Sequence, residues 1–176
     1  MKIFLNPGHG GTDPGAVSKS GTKESDITAK VAEILAARLK LNWYPVQVFQ
    51  QSKNVYEVSK EENKSGATLF ISIHCNSHTS STANGTEVLY QKYSIKGGQL
   101  AKIMQEQLIK ATGLSNRGIK PRENLHVLNK TKAPAILIEL AFISNRKEEK
   151  LLKEQPELFA GAIWEAIKIY KKEGLI

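Results

Sequence analysis

Apolar residues in this chain gather into short runs with strand character, separated by longer stretches with helical spacing. Ile3-Phe4-Leu5 lies in a predicted strand from Lys2 to Asn6, followed by a glycine-rich loop through Gly21. Ser25 is the expected helix cap, with Asp26 in the first turn. Ile27, Val31, Ile34, Leu35 and Leu39 then recur at helical intervals. Val46 and Val48 alternate with Gln47 in a strand from Pro45 to Phe49, and a polar helix is predicted between Asn54 and Ser65. Thr68 to His74 is nearly all apolar, which predicts a central strand buried on both faces. A Ser, Thr and Asn loop from His78 to Gly85 leads to a strand from Thr86 to Tyr90. Leu100, Ile103, Met104, Leu108 and Ala111 mark a helix face. Asn116 to Asn124 reads as a basic loop before the short apolar run Val127-Leu128, where a further strand is expected. Ala135 to Leu140 is another buried strand. Leu158, Phe159, Ala162, Ile163, Ala166, Ile167 and Tyr170 form the apolar face of a helix that should cover the sheet. Strands alternating with helices predict a three-layer α/β domain, and no linker or repeat divides residues 1–176.

At 176 residues the chain is long enough to bury a core as one domain, and its 40% hydrophobic and 24% charged content is that of a soluble globular protein. The single cysteine, Cys75, excludes an internal disulfide framework and a cysteine-rich zinc ribbon, and is expected as buried packing. The +8 formal charge favours polyanions. It comes mainly from dispersed lysines, with no arginine-rich helix and no aromatic ladder, and a polyanionic surface such as a cell wall satisfies it as well as nucleic acid does. No stretch approaches membrane-spanning length, and no segment shows a signal-peptide pattern. Action outside a cell would imply a processed form, a fragment or release at lysis.

The charge changes the picture less than three polar residues at the ends of apolar runs. His9 in Asn6-Pro7-Gly8-His9-Gly10-Gly11, His74 in Ser72-Ile73-His74 and Glu139 in Ile138-Glu139 all fall there. Ligands of open α/β sheets bind beyond the carboxyl ends of the strands. A histidine at such a place is often only structural, but glycines beside His9 allow close approach and His74 ends a buried strand. Glu139, inside a buried strand, needs a charge partner or a raised pKa. Two imidazoles and one carboxylate make a catalytic-zinc set with an open position, and a second carboxylate could move protons. Asp13 and Glu24 both qualify as the third ligand on this reasoning. Asn76 could bond substrate or brace its loop. Arg117 and Lys120 read as a solvated basic loop with stem-peptide contact as the alternative, His126 as structural or cleft-facing at the start of a strand, and His78 as surface.

Taken in order, the pieces are Asn6-Pro7-Gly8-His9-Gly10-Gly11 with Asp13 and Gly15; Gly21 and Glu24; Ser72-Ile73-His74-Cys75-Asn76; Gly85-Thr86-Glu87; Asn116-Arg117-Gly118-Ile119-Lys120; Val127-Leu128; and Pro134 to Glu139 continuing to Phe142-Ile143-Ser144-Asn145. Together they resemble the catalytic domain of zinc-dependent N-acetylmuramoyl-L-alanine amidases, the amidase 3 type of bacterial autolysins and phage endolysins. The resemblance runs nearly end to end. It implies a twisted, mostly parallel sheet of about six strands between helices. It also implies one catalytic zinc held by His9, Glu24 and His74, with Glu139 as the catalytic glutamate. The implied substrate is peptidoglycan, cut between N-acetylmuramic acid and L-alanine by a monomer acting at the bacterial cell wall, without nucleic acid or membrane insertion. Asn6 stands where the family usually has aspartate. Gln50-Gln51 replaces a common Thr-Arg, Lys60 to Gly66 replaces an arginine-bearing helix end, and Ala141 replaces a frequent glycine. These departures bear on helix anchoring rather than on the metal set. The glycines around His9 are expected to keep side chains out of the cleft where substrate lies. A zinc peptidase cutting within the stem peptide and a non-catalytic wall-binding module are the competing functions.

Overall fold

The computed structural model describes residues 1–51 and 54–175. Six strands form one sheet in the order β2-β1-β3-β6-β4-β5. They are β1 (Ile3–Pro7), β2 (Val46–Val48), β3 (Leu69–Asn76), β4 (Thr86–Gln91), β5 (Asn116–Arg122) and β6 (Ala135–Phe142). β2, β1, β3 and β6 run parallel; β4 is antiparallel to β6, and β5 follows the direction of β4. The helices are α1 (Glu24–Leu41), α2 (Val55–Ser65), α3 (Ile95–Thr112), α4 (His126–Asn129), α5 (Arg146–Glu154) and α6 (Pro156–Lys172).

Alternation along the strands divides the core into two layers. Ile3, Leu5, Ile71, Ile73, Ile136 and Ile138 face α1, α3 and α6 in the larger cluster, which Cys75 joins as buried packing. Phe4, Phe70 and Leu137 face the smaller cluster with Val58 of α2 and Val127 and Leu128 of α4. The three-layer α/β architecture is therefore as the alternating pattern predicts. Ser72 and His74 share the face of Phe70, and Glu139 shares that of Leu137. The polar pair thus continues the smaller layer beyond the reach of its helices.

Two elements differ from the pattern's expectation. Asn116–Arg122 is not a loop but the edge strand β5, and Val127-Leu128 lies in the one-turn helix α4, not a strand. A strand at the sheet edge tolerates the glycine, proline and charges of Asn116-Arg117-Gly118-Ile119-Lys120-Pro121-Arg122 because only one side of its ladder is paired.

The start of α1 also differs. Lys23, not Ser25, occupies the cap position, and no side chain caps the helix. The N–H groups of Glu24 and Ser25 instead donate to the carbonyls of Ala16 (2.9 Å) and Pro14 (3.1 Å). The loop itself caps the helix, which frees the Glu24 carboxylate for other partners. Gln50 donates to the Ser25 carbonyl at 3.1 Å, so the glutamine at this position does anchor the helix. In the substituted end of α2, Glu62 accepts from the backbone N–H groups of Lys132 and Ala133, tying that helix to the approach to β6. Asn6 donates to the Phe49 carbonyl and accepts from Ser72, so it still holds the loop after β1.

Candidate active site

The site is built at the carboxyl ends of β1, β3 and β6. His9 follows β1 with a left-handed backbone (φ 60°), a conformation flanked by glycines and stabilised where Gly8 donates to the Ile73 carbonyl. This turn swings the imidazole back toward β3. His74 comes from the end of β3, and its ring stands edge-on to that of His9 with centroids 5.1 Å apart. Glu24 arrives from the first residue of α1, held there by the loop carbonyls and by Thr28, whose hydroxyl donates to the Gly8 carbonyl at 2.8 Å.

Glu24 joins the two histidines. Its Oε1 lies 3.0 Å from His74 Nδ1 and accepts from the Cys75 N–H at 3.0 Å. Its Oε2 lies 3.4 Å from His9 Nε2 and accepts from the Ala16 N–H at 2.9 Å. One ligand atom from each of His9, Glu24 and His74 falls within 4.8 Å of the others, so the set can hold a metal ion. Asp13, the competing third ligand, sits on the far side of His9, with Oδ2 2.8 Å from Nδ1. It therefore lies outside the cluster, against one ring nitrogen of His9, while the other, Nε2, faces Glu24.

The charge balance fits this arrangement. Hydrogen bonding to Glu24 raises the His9 pKa to about 9, against the opposing effect of burial and with further help from Asp13. Burial alone would push the Glu24 carboxyl up, yet hydrogen bonds from His74 and His9 hold it well below the carboxylate range. A cation bound among these groups would compete with the His9 proton.

The glycines serve the ligands more than the cleft. A Cβ on Gly8 would lie 2.2 Å from the His74 ring, and one on Gly15 would lie 2.7 Å from both Glu24 Oε2 and the His9 ring. Gly15 also adopts φ 65°. These two positions thus admit the imidazoles themselves, where any side chain would collide with them.

Glu139 stands beside His74 in the β3–β6 register and beside Glu87 in the β6–β4 register. Its Oε2 is buried without a hydrogen-bond partner among the described residues. Burial first, then the nearby charges of Glu24 and Glu87, raise its pKa to about 8. In the unfolded chain this carboxyl ionises near 4.5, so between these values the native state binds more protons and its stability falls as pH rises. Glu139→Gln, which cannot ionise, should stabilise the metal-free domain by about 3 kcal/mol at about pH 7 and leave it unchanged at about pH 4. Urea unfolding at the two pH values measures the difference.

Glu87 is the site residue that strand-end reasoning overlooks, because β4 runs in reverse and brings its first residues, not its last, to the site. The signal was present in the Gly85-Thr86-Glu87 segment, where a carboxylate directly follows the turn. Glu87 accepts from Arg117 Nε at 2.8 Å and from Asn76 Nδ2 at 3.2 Å. Asn76 is thereby a brace between β3 and β4. Arg117 is not simply solvated: it pairs with Glu87 and lies 4.9 Å over the Phe142 ring. Lys120 lies on β5 rather than in a loop. His126 opens α4, not a strand; its Nε2 is 3.0 Å from Ser59 Oγ and its ring meets Tyr56 edge-on, a structural setting. His78 is exposed and accepts from the Ser80 N–H. A cavity of about 1000 Å³ between Asn84, Leu114 and Arg146 is lined by none of His9, Glu24, His74 and Glu139.

Comparison with known proteins identifies the family. The N-acetylmuramoyl-L-alanine amidase family model matches residues 3–169. The chain belongs to this amidase family. The probable cell wall amidase LytH of Staphylococcus aureus is 36% identical over 172 residues, covering 96% of this chain and 57% of that protein. The chain thus spans little more than half the length of this curated relative. Among solved structures, the catalytic domain of CwlV, an amidase from Bacillus (Paenibacillus) polymyxa, is 32% identical with a TM-score of 0.87, covering 97% of this chain and 98% of that one. The CwlD amidase of Clostridioides difficile, in complex with the GerS lipoprotein, is 30% identical with a TM-score of 0.89, again covering 97% and 98%. The amidase domain described here therefore shares its whole architecture with these enzymes.

Proposed function

We propose that this amidase domain hydrolyses the bond between N-acetylmuramic acid and L-alanine in peptidoglycan, acting at the bacterial cell wall with one zinc ion held by His9, Glu24 and His74. The observation that carries the reading is the meeting of three ligand atoms from β1, α1 and β3, with the unpartnered Glu139 carboxylate one strand away. The donor set fits zinc, because two imidazoles and one carboxylate leave a coordination position open. When bound, zinc supplies Lewis-acid polarisation of the scissile carbonyl and of the attacking water.

The protein's own groups do the rest. Glu139 takes the proton of the attacking water and returns it to the leaving alanine nitrogen. Its raised pKa is suited to this exchange: a group that both accepts and donates works best when neither form is strongly preferred near neutral pH. A cation in the ligand set would favour the ionised form needed for the first transfer. Asp13 holds the His9 ring, and Arg117 neutralises Glu87 so that Glu139 faces one fewer uncompensated charge. All of these residues belong to one chain, so a monomer suffices.

Mass spectrometry of purified cell wall digested by the zinc-loaded domain tests the assignment. New free L-alanine amino termini with intact muramic acid are expected, and a chelator should abolish their formation until zinc is restored. Cuts within the stem peptide would identify a peptidase instead, and co-sedimentation with wall without any new termini would identify a binding module.

A further inference from the structure

The end of the sheet opposite the site carries an unusual concentration of exposed apolar side chains. Leu41 and Trp43 project from the α1–β2 turn, 81% and 93% exposed, and Tyr93 and Ile95 from the β4–α3 turn, 74% and 80% exposed. α1 runs away from Glu24, and the reversed β4 ends where β1, β3 and β6 begin, so both turns share this base. β2 and β4 are four steps apart in the sheet, which separates the two apolar pairs by about 19 Å.

Trp43 is held outward by a specific backbone arrangement. It adopts φ 62°, unusual for a bulky residue, while its N–H donates to the Lys40 carbonyl and that of Tyr44 to the Leu39 carbonyl, each at 3.0 Å. Tyr44 turns inward against Trp164, with Lys171 Nζ 4.7 Å over its ring. The tight turn thus half-buries one aromatic and presents the other.

Positive charge surrounds both pairs. Lys40 precedes Leu41, Lys92 and Lys96 flank the second pair, and Lys2 and Lys132 stand at the entrances of β1 and β6 between them. Lys171 and Lys172 end α6 nearby. The acidic residues of this end are fewer: Glu123 pairs with Lys92, Glu61 with Lys64, Glu165 with Lys168, Glu62 is buried on backbone N–H groups, and Glu173 follows α6. The balance is cationic.

We propose that this base is a docking surface for an anionic phospholipid bilayer, with Leu41, Trp43, Tyr93 and Ile95 seated at headgroup level and the lysines directed at lipid phosphates. Aromatic rings favour the membrane interface, and lysines can keep their charge among headgroups while their stems lie along the apolar layer. Combining apolar insertion with charge gives the two signals that stable surface attachment needs. A soluble phosphate polymer would use the lysines but leave the apolar side chains without a role. No helix among the described residues is long and apolar enough to cross a membrane, so the contact is peripheral. The 18 residues of α1 hold Glu24 about 27 Å from the base, and the site would face away from the lipid, toward the wall.

Vesicle flotation with the full chain tests this without any substrate. Vesicles of phosphatidylglycerol mixed with phosphatidylcholine should carry the protein, whereas phosphatidylcholine alone should not, and added salt should weaken binding. Tryptophan emission should shift to the blue and be quenched by brominated lipid, a response lost in Trp43→Phe. Leu41→Ser with Trp43→Ser, and separately Lys171→Glu with Lys172→Glu, should each reduce binding at least about tenfold. Hydrolysis of soluble muropeptides should be unchanged, and Tyr93→Ser with Ile95→Ser provides an independent pair at the other turn. Absence of binding to anionic vesicles overturns the proposal, including the case in which the face binds only a wall polymer or a protein. Unaltered vesicle binding by all the folded variants overturns it as well.

Discussion

Glu139→Ala should keep one zinc per chain while cleaving the muramyl amide roughly a thousandfold more slowly, within the range of a positioned proton-transfer group. The separation of binding from turnover follows from the geometry. Glu139 is a strand away from His74 and outside the cluster formed by His9, Glu24 and His74. Removing its carboxylate leaves no orphaned donor on Oε2, which has no hydrogen-bond partner, and relieves repulsion from Glu24 and Glu87. The variant should therefore fold at least as well as the parent. Metal analysis after dialysis and mass spectrometry of purified muropeptides measure the two properties side by side. Retained turnover would remove Glu139 from the mechanism.

Glu24→Ala should behave oppositely, losing zinc, hydrolysis and stability together. Its carboxylate joins both imidazoles and accepts from the Ala16 and Cys75 N–H groups. Deletion removes a ligand and leaves backbone donors unpaired in a buried place, which costs about 3 kcal/mol in the metal-free domain. Thermal unfolding with and without zinc reads both losses, since the parent should gain stability from zinc and the variant should not. A Glu24→Ala protein that still held stoichiometric zinc would shift the third-ligand role to Asp13. The present geometry opposes that outcome, because Asp13 lies against His9 Nδ1, on the other side of the ring from Glu24.

The parts legible in the sequence are those for which burial dictates composition. β1, β3 and β6 stood out because a central parallel strand must be apolar on both faces, and their polar terminators, His9, His74 and Glu139, were conspicuous by contrast. The family resemblance then selected Glu24 over Asp13, a choice that strand-end reasoning could not make because both acids lie within the loop's reach. What stayed hidden depends on tertiary context. β5 has the composition of a loop and becomes a strand only by pairing with β4. Ser25 looks like a cap, but the carbonyls of Pro14 and Ala16 replace it once the loop folds back. The reversal of β4 is not encoded in its own pattern, so Glu87, and with it the true partner of Arg117, could not be placed.

That reversal also bears on how such a domain can diversify. Because β3 ends and β4 begins at the same pole of the sheet, the connecting segment 77–85 lies at the candidate site's end of the sheet while contributing little to the core. Its tip is held by local hydrogen bonds, as between Ser80 and Thr82 or from Asn84 to the Thr82 carbonyl, while the His78 N–H, the Ala83 carbonyl and the Gly85 N–H tie its flanks to Ser144, Asn145 and Glu148. It behaves as a replaceable part. Insertions there would reshape one wall of the substrate path while the ligands, fastened to β1, α1 and β3, kept their positions. A protein engineer wishing to retarget the domain to a different wall chemistry would begin with this segment.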